Sequence, residues 1–214
     1  MLAVFDLDGT LTRGDTLSRY LGAYLTRHPA RLLQLVRVLP VLAHFAAGRA
    51  DRGALKAAWI AAVLGGRSRA ELEAWTAQCV PHLIAQGLRH DALAALEGHR
   101  RAGDALVLLS ASPDLYVPAI GRALGFNETV CSGLEWDRDR LTGRLATPNR
   151  RGAEKARCLE ALRLRYPHLP VTAYANAASD LEHLRLADRA VLVNGRWCAR
   201  RQAARSNIAR VRWR

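Results

Sequence analysis

The sequence predicts an α/β fold in which a parallel sheet, covered by helices on both faces, carries an inserted helical bundle. Four short apolar runs alternate with longer helical patterns, as expected when buried parallel strands are joined by helices. The exception is residues 15–86, whose patterns are all helical. The chain has 214 residues and is half apolar, which is enough to bury a core of this kind.

The predicted strands are short apolar runs that end in small, polar or turn-forming residues. The first ends at Asp6, before a Gly-Thr turn, and the second ends in a Ser-Ala-Ser-Pro segment. Runs of this kind are typical of strands buried on both faces. Strands are predicted at residues 2–5, 105–109, 171–175 and 190–193, and the helices between them at 88–101, 115–124, 152–165 and 181–187. A small β excursion is predicted at 129–146, with its turn at 137–140.

Residues 15–86 contain no strand-like run and form four helical patterns instead. Proline and glycine interrupt these patterns, which cover residues 16–27, 32–47, 52–64 and 69–84. We therefore expect a four-helix cap at 15–86 and an α/β core made of residues 1–14 and 87–214. Since the insertion directly follows the first strand, the cap is expected over the carboxyl edge of the sheet, where open α/β sheets bind ligands.

The composition argues against a membrane-spanning or secreted protein. The longest apolar stretch, residues 32–47, is interrupted by polar residues and is shorter than the ~20 residues of a spanning helix. The first residues lack the basic segment of a signal peptide, so we expect a cytoplasmic protein. The four cysteines and seven histidines are scattered, which predicts free thiols and argues against a Cys/His metal site.

The chain is strongly basic, with a net charge of +13 and a pI near 10.8. Of its 32 basic residues only Lys56 and Lys155 are lysines. Such a preference is typical of coding bias, which weakens charge as an indication of nucleic-acid binding, and no specific nucleic-acid partner is expected. Residues 196–214 hold seven arginines and no acid. This arginine-rich tail is interpreted either as a solvated basic end or as a contact for a lipid surface or polyanion.

Two carboxylates lie two residues apart at the end of the first predicted strand. If the strand geometry continues, Asp6 and Asp8 point to the same side. Two like charges so close are costly unless a cation or a reacting group uses them. The pair is therefore either part of a polar loop with a helix-capping aspartate, or a nucleophilic carboxylate with an acid/base partner and Mg²⁺.

The segment Phe5-Asp6-Leu7-Asp8-Gly9-Thr10-Leu11-Thr12 resembles motif I of the haloacid dehalogenase superfamily of phosphohydrolases. Residues 106–110, an apolar run ending in serine, resemble motif II, and Lys155 resembles the motif III lysine. Residues 174–180 lie where motif IV is expected. The helical insertion is similar to the C1 cap of the phosphoserine-phosphatase-like branch, subfamily IB. The resemblance covers essentially the whole chain and implies a Rossmann-like α/β core with a four-helix cap.

This resemblance implies a Mg²⁺-dependent phosphomonoester hydrolase. Asp6 would attack phosphorus and form an aspartyl-phosphate, while Asp8 would protonate the leaving alkoxide and then deprotonate water. Lys155 would lie beside the nucleophile as a compact point charge. The phosphoryl-binding residues implied are Gly9, Thr10, Ser110 and Ala111, with Asp15 where relatives contact a substrate amine. The Mg²⁺ ligands implied are Asp6, Asp8 through its carbonyl, Asn176 and Asp180.

The two lysines are informative because arginine is so much more frequent. A compact ammonium fits between a carboxylate and a phosphate where a planar guanidinium does not, which favours a functional role for Lys155. Lys56 lies in a predicted cap helix and is interpreted either as a solvated residue or as a substrate contact.

Motif IV departs from the family pattern. Asn176 stands where the family usually has an aspartate that ligates Mg²⁺, and an amide oxygen brings no negative charge. Asp180, one helical turn further on, is expected to compensate directly or through a water. We expect Mg²⁺ to bind, but more weakly than at a two-aspartate site. A weakly active or non-catalytic descendant that binds phosphate or polyanions, and a phosphotransferase, stay open as alternatives.

The helical cap favours a small or lipid-linked phosphomonoester as substrate, because a cap closes over the leaving group and excludes water. Residues 32–47 are apolar nearly all round and are interpreted either as cap core or as a membrane-facing surface. Together with the arginine-rich tail, the second interpretation places the protein in peripheral contact with the inner face of the membrane.

Overall fold

A six-stranded parallel sheet forms the centre of the molecule in a computed structural model that describes residues 1–204 and 206–214. Its strands are β1 (Leu2–Phe5), β2 (Ala105–Pro113), β3 (Glu128–Ser132), β6 (Val171–Ala175), β7 (Arg189–Val193) and β8 (Ile208–Val211). A separate antiparallel hairpin is formed by β4 (Leu134–Asp137) and β5 (Arg140–Leu145). The spatial order of the sheet is β3-β2-β1-β6-β7-β8, and every neighbouring pair is parallel. The predicted α/β fold is confirmed.

The register of the central strands determines what meets at the carboxyl edge. Phe5, the last residue of β1, is level with Leu108 of β2 and Tyr174 of β6. Asp6, the next residue, donates its N–H to the Tyr174 carbonyl and so follows β1 where β6 ends, while β2 continues to Pro113. All of β1 is buried, because apolar side chains from both faces of the sheet pack against separate helical layers.

Helices cover both faces of the sheet and fill the segment between β1 and β2. In chain order they are α1 (Thr16–Arg27), α2 (Leu39–Ala46), α3 (Arg52–Leu64), α4 (Arg69–Gly87), α5 (His90–Arg101), α6 (Val117–Ala123), α7 (Ala153–Arg165), α8 (Leu181–Arg185) and α9 (Trp197–Ala203). Helices α1 to α4 occupy the segment for which the cap is predicted. That this segment is a domain of its own stays a prediction.

Side-chain caps explain where three helices of the insertion begin. Asp15 accepts hydrogen bonds from backbone N–H groups in the first turn of α1, and Asp51 does the same for α3. Ser68 and Glu71 form a reciprocal capping box at the start of α4. Each cap satisfies backbone donors that have no partner inside the helix.

The prediction of one continuous helix at 32–47 is wrong. Residues Pro29–Val38 form a 3₁₀ helix, and α2 begins only at Leu39. Pro40 lies in the first turn of α2, where its missing N–H costs nothing; deeper inside a helix the same residue would break the hydrogen-bond ladder. The proline thus marks a junction between two helical segments.

Two further sequence interpretations need correction. The predicted β excursion at 129–146 is only in part separate, because β3 joins the main sheet as an edge strand beside β2 and only β4 and β5 form the hairpin. The basic tail contains a strand that was not predicted, since β8 pairs in parallel with β7, while the described arginine side chains of the tail are exposed. Ile208 is buried in that strand, whereas Arg210 is exposed. β8 has only four residues, and one of them is buried, so its alternation of apolar and polar side chains is too short to predict a strand.

Across residues 1–204 and 206–214, no helix combines the length and the hydropathy that crossing a bilayer requires. All four cysteines are free, as predicted.

Candidate active site

A cavity of about 890 Å³ lies at the carboxyl edge of the sheet, between the strand ends and helices α1 and α3. Side chains predicted from three distant parts of the chain line it: Asp6 and Asp8 after β1, Lys155 in α7, and Asn176 and Asp180 after β6. Ala111 and Asp15 line it as well. The structure therefore brings these predicted residues to one place.

Asp6 is buried at the floor of the cavity, with both carboxylate oxygens in contact with donors. The Thr10 hydroxyl donates to Oδ2 at 2.9 Å, and the Lys155 ammonium donates to Oδ1 at 2.6 Å. Burial raises the pKa of Asp6 to about 6, and the Lys155 charge opposes that rise. Lys155 therefore favours the ionised form, which a nucleophilic carboxylate requires.

Lys155 is fully buried between two carboxylates, so it is not a surface lysine. Its Nζ lies 2.6 Å from Asp6 Oδ1 and 3.3 Å from Asp180 Oδ1. Burial acts to lower the pKa of Lys155, but the charges of Asp180 and Asp6 outweigh it and raise that pKa above its ordinary value. The lysine is a permanent cation that holds the end of β1 close to the segment after β6.

Asp8 connects the loop after β1 to the helical insertion. One carboxylate oxygen accepts from the Thr16 N–H at 2.6 Å, and the other accepts from the Ser112 hydroxyl at 2.6 Å. Burial raises the pKa of Asp8, while these two hydrogen bonds lower it. A raised pKa favours a carboxyl group that can hand a proton to a leaving group. Because Thr16 begins α1, the position of this carboxyl group depends on where α1 sits.

Gly9 provides the space in which Asn176 approaches the loop. Its φ is +82°, a backbone conformation that other residues adopt only at a cost. A β-carbon at this position would lie 2.0 Å from Asn176 Nδ2, well inside van der Waals contact. The residue after β6 is therefore held next to the residues after β1, and any larger side chain at position 9 would displace it.

Replacing Gly9 by alanine is expected to destabilise the fold. The left-handed backbone costs a β-carbon about 1 kcal/mol, and the contact with Asn176 adds to that cost. Gly48→Ala is the matched control, because Gly48 has φ +70° but its β-carbon would meet nothing within 4 Å. Urea unfolding should show a larger loss for Gly9→Ala than for Gly48→Ala. Equal losses would contradict the proposed clash with Asn176.

Of the other predicted phosphate-binding residues, Thr10 and Ser110 do not line the cavity, whereas Asp15 does. Thr10 and Ser110 are fully buried, and their hydroxyl oxygens contact Asp6 and the Ser112 N–H respectively. Asp15 accepts from the N–H groups of Leu17 and Ser18 and so acts as the cap of α1. That these residues bind phosphate or a substrate amine stays a prediction.

Sequence reasoning missed several polar residues of the cavity. Lys56, for which the sequence allows two interpretations, donates to the Ala111 carbonyl and, at 2.5 Å, to Asn149 Oδ1. Burial lowers the pKa of Lys56 to about 8. Further cationic and polar side chains that line the cavity are Arg52, Ser112, Asn149, Arg151 and Arg196. Among these residues the sequence singles out only Lys56, because lysine is rare in this chain. One arginine among thirty cannot be distinguished from the others by sequence.

The donors at this site fit Mg²⁺ in kind. Asp6 and Asn176 line the cavity with a carboxylate, which already accepts from Thr10 and Lys155, and an amide oxygen; hard cations prefer oxygen ligands. The Asp8 carboxylate is committed to Thr16 and Ser112, and Asp180 is committed to Lys155 and the Ala177 N–H. Consistent with this, no three His, Cys, Asp or Glu side chains in the described ranges are grouped as a metal site. The set therefore suits a hard cation but carries little negative charge.

The chain resembles known proteins in sequence and in fold. A family profile described as haloacid dehalogenase-like hydrolase matches residues 3–185. The chain is 34% identical over 197 residues to Protein CicA of Caulobacter vibrioides, covering 88% of this chain and 83% of that protein. It is 28% identical to the phosphoserine phosphatase SerB1 of Mycobacterium tuberculosis, covering 90% of this chain and 64% of SerB1. A solved protein of unknown function from Bordetella pertussis Tohama I has the same fold, with a TM-score of 0.82 at 23% identity and coverage of 98% and 97%.

Proposed function

The chain belongs to the haloacid dehalogenase-like hydrolases, and we propose that it is a Mg²⁺-dependent phosphomonoester hydrolase that acts through an aspartyl-phosphate on Asp6. One observation carries the proposal. A buried carboxylate, a buried ammonium 2.6 Å from it and a second carboxyl group with a raised pKa line one cavity at the carboxyl edge of the sheet. An anion next to a fixed cation, with an acid nearby, is what attack on a phosphate ester requires.

The first step forms one bond and breaks another. An Asp6 carboxylate oxygen attacks phosphorus, and the bond from phosphorus to the ester oxygen breaks, so the phosphoryl group is transferred to Asp6. The leaving alkoxide takes a proton from Asp8. Lys155 stabilises the added negative charge, since its ammonium already touches Asp6.

The second step returns the enzyme to its starting state. Asp8, now ionised, takes a proton from water as the water oxygen attacks phosphorus, and the bond to Asp6 breaks. Inorganic phosphate leaves, and Asp8 holds a proton again. Burial raises the pKa of Asp8 above its ordinary value, which favours the protonated form that the first step needs.

The residues that would hold Mg²⁺ are Asp6, Asn176 and the backbone carbonyl of Asp8. Asp180, which contacts Lys155, would be a further ligand. When bound, the ion offsets the repulsion between the Asp6 carboxylate and the substrate phosphate. Asn176 brings no charge to this set, which is why we propose a weaker ion affinity than a second aspartate would give.

The walls of the cavity favour a leaving group with an apolar part. Helices α1 and α3 of the insertion line it with apolar side chains, namely Leu17, Leu21, Leu25, Leu55 and Trp59. SerB1 carries the name of a phosphoserine phosphatase, but the serine part of such a substrate is small and carries both an ammonium and a carboxylate group. The carboxylate nearest to an amine-binding position, Asp15, already caps α1. A lipid-linked phosphate suits these walls better.

The proposal is tested by phosphate release from a generic aryl phosphate at increasing Mg²⁺ concentration. We expect turnover that depends on Mg²⁺ and disappears with a chelator. Product analysis in the presence of a small alcohol separates the two transfer reactions: free phosphate supports hydrolysis, and a new phosphate ester shows a phosphotransferase. Binding of phosphate with no turnover at any Mg²⁺ concentration would refute the hydrolase and favour a non-catalytic descendant.

Replacing Asn176 by aspartate is expected to lower the Mg²⁺ concentration needed for half-maximal activity by roughly tenfold. The amide oxygen becomes a carboxylate of the same shape, and an added unit charge close to a divalent ion is worth ~1 kcal/mol or more. Thermal unfolding at varied Mg²⁺ gives a second readout, because a ligand that binds the folded state raises Tm. Asn149→Asp is the control, since Asn149 lines the same cavity but pairs with Lys56. An unchanged Mg²⁺ requirement in Asn176→Asp would remove Asn176 from the proposed ligands.

A further inference from the structure

The helical insertion leaves a group of large apolar side chains exposed. Leu33 is 78% exposed and Val36 is 62% exposed. With three neighbours they form what we call the apolar patch, which consists of Leu32, Leu33, Val36, Leu39 and Leu42. On the other side of this segment Val38 is buried and Leu35 packs against the core. The interpretation of residues 32–47 as cap core therefore holds for one face only, and the other face has no partner within the described chain.

Only positive charges accompany the apolar patch in sequence. Between Asp15 and Asp51 there is no acidic residue, while the same stretch holds five arginines, at positions 19, 27, 31, 37 and 49. Arg37 lies within the patch segment and is exposed. Exposed leucine and valine beside unopposed arginine match a bilayer of anionic lipids, which offers both an apolar interior and negative headgroups.

Charge argues against the other occupants of such a surface. A second copy of the chain would bring a further net charge of +13 against the patch. Nucleic acid would pair with the arginines but offers no apolar surface for the five aliphatic side chains. An acidic protein remains the competing occupant, and it is separated from a bilayer by the experiment below.

The segments that carry the patch pack against a helix that lines the active-site cavity. Helix α3 packs against the 3₁₀ segment and α2, which carry the patch. Its Trp59 both lines the cavity and is exposed to solvent, so it joins the apolar wall of the cavity to the outer surface. A second exposed aromatic, Trp197, follows Arg196, which also lines the cavity. Tryptophan beside arginine is typical of residues at a lipid headgroup layer.

We propose that the apolar patch docks this protein on an anionic bilayer, and that its substrate is a lipid phosphomonoester taken from that bilayer. The second half rests on the proposed hydrolase function, whereas the first half does not. In the docked state the phosphate headgroup reaches Asp6, the first part of the acyl chains lies along the apolar wall, and the remainder stays in the lipid.

Docking is tested by sedimentation with phosphatidylcholine vesicles that do or do not contain phosphatidic acid, an anionic phosphomonoester lipid. The Asp6→Asn protein is used, so that binding is measured without turnover. Leu33→Glu/Val36→Glu is expected to weaken binding to the anionic vesicles at least about tenfold, because two apolar contacts become charges that the surface repels. Both side chains are exposed, so folding should be unaffected, and circular dichroism checks this.

Leu164→Glu is the matched control. Leu164 is 83% exposed on α7, a helix that packs against α8 and β2, so the same substitution there leaves the patch intact. Unchanged binding of this variant, with weakened binding of the double variant, supports the proposal. Three results would overturn it: no binding of the parent protein to anionic vesicles, equal binding of the double variant, or an equal loss in Leu164→Glu. A dimer in sedimentation velocity that the double variant dissociates would assign the patch to self-association instead.

An activity measurement separates the substrate from the docking. In the active protein, Leu33→Glu/Val36→Glu is expected to lower turnover of phosphatidic acid in vesicles about tenfold and to leave turnover of a soluble aryl phosphate unchanged. Absence of phosphatidic acid turnover by the parent protein, in vesicles that it binds, would overturn the lipid substrate. Equal turnover of the vesicle substrate by both proteins would overturn the role of the patch in delivering it. If vesicles are bound but no phosphate ester of any kind is hydrolysed, the proposed function fails while docking stands.

Discussion

Replacing Asp6 by asparagine is expected to abolish phosphate release, with kcat lowered by at least roughly 1,000-fold. An amide has no anionic oxygen to attack phosphorus, so no acyl-phosphate forms. The local structure should survive, because the amide oxygen can accept from Lys155 while its nitrogen donates to the Thr10 hydroxyl oxygen. The measurements are initial rates on an aryl phosphate and mass spectrometry of acid-quenched protein, which should show a phosphoryl adduct on Asp6 in the wild type only.

Asp51→Asn is the matched control for this variant. Asp51 is a carboxylate that caps α3, it does not line the cavity, and asparagine is an equally good helix cap. Its kcat should therefore match that of the wild type. Two results would count against Asp6 as the nucleophile: phosphate release by Asp6→Asn at the wild-type rate, or a phosphoryl adduct on another residue.

The part of the site that could be predicted from the sequence lies at the ends of strands. Asp6 and Asn176 are each the first residue after a short apolar run, and parallel strands bring their carboxyl ends to one edge. The strand-end pattern therefore explains why these two residues, which the family resemblance implies for the site, lie together. Lys155 is implied by the resemblance to the motif III lysine and supported by the rarity of lysine in this chain. Its burial between two carboxylates explains why no arginine stands there.

The rest depended on contacts between segments far apart in sequence. Asp8 is held by Thr16 and Ser112, and Lys56 is held by Asn149, 93 residues away. Nothing in the local pattern of any of these residues shows its partner, because such pairs are set by how α1 and α3 pack on the sheet. The exposure of one face of residues 32–42 was equally hidden, since an apolar sequence alone does not tell a buried face from an exposed one.

Replacing Lys155 by methionine is expected to lower the free energy of unfolding by about 3–5 kcal/mol, because it leaves two buried carboxylates, Asp6 and Asp180, facing each other without a cation. Methionine keeps the length of the side chain, so the loss reports charge rather than volume. Turnover should also fall at least roughly 100-fold, since the developing charge loses its nearest cation. Urea unfolding in the presence of a chelator measures the free energy of unfolding without a contribution from bound metal.

A double-mutant cycle shows whether this loss comes from the ion cluster. Lys155→Met/Asp180→Asn leaves only one unpaired carboxylate, so it should be more stable than the sum of the two single changes predicts, by about 1–3 kcal/mol. Asparagine at 180 can still accept from the Ala177 N–H, which preserves the turn after β6. Lys56→Met is the control: Lys56 contacts a backbone carbonyl and an amide oxygen, and its change should cost only about 1–2 kcal/mol and add independently to Asp180→Asn. If the Lys155 pair were additive as well, the ammonium would be packing against its neighbours without holding the two carboxylates together, and its proposed role beside the attacking oxygen would lose its physical basis.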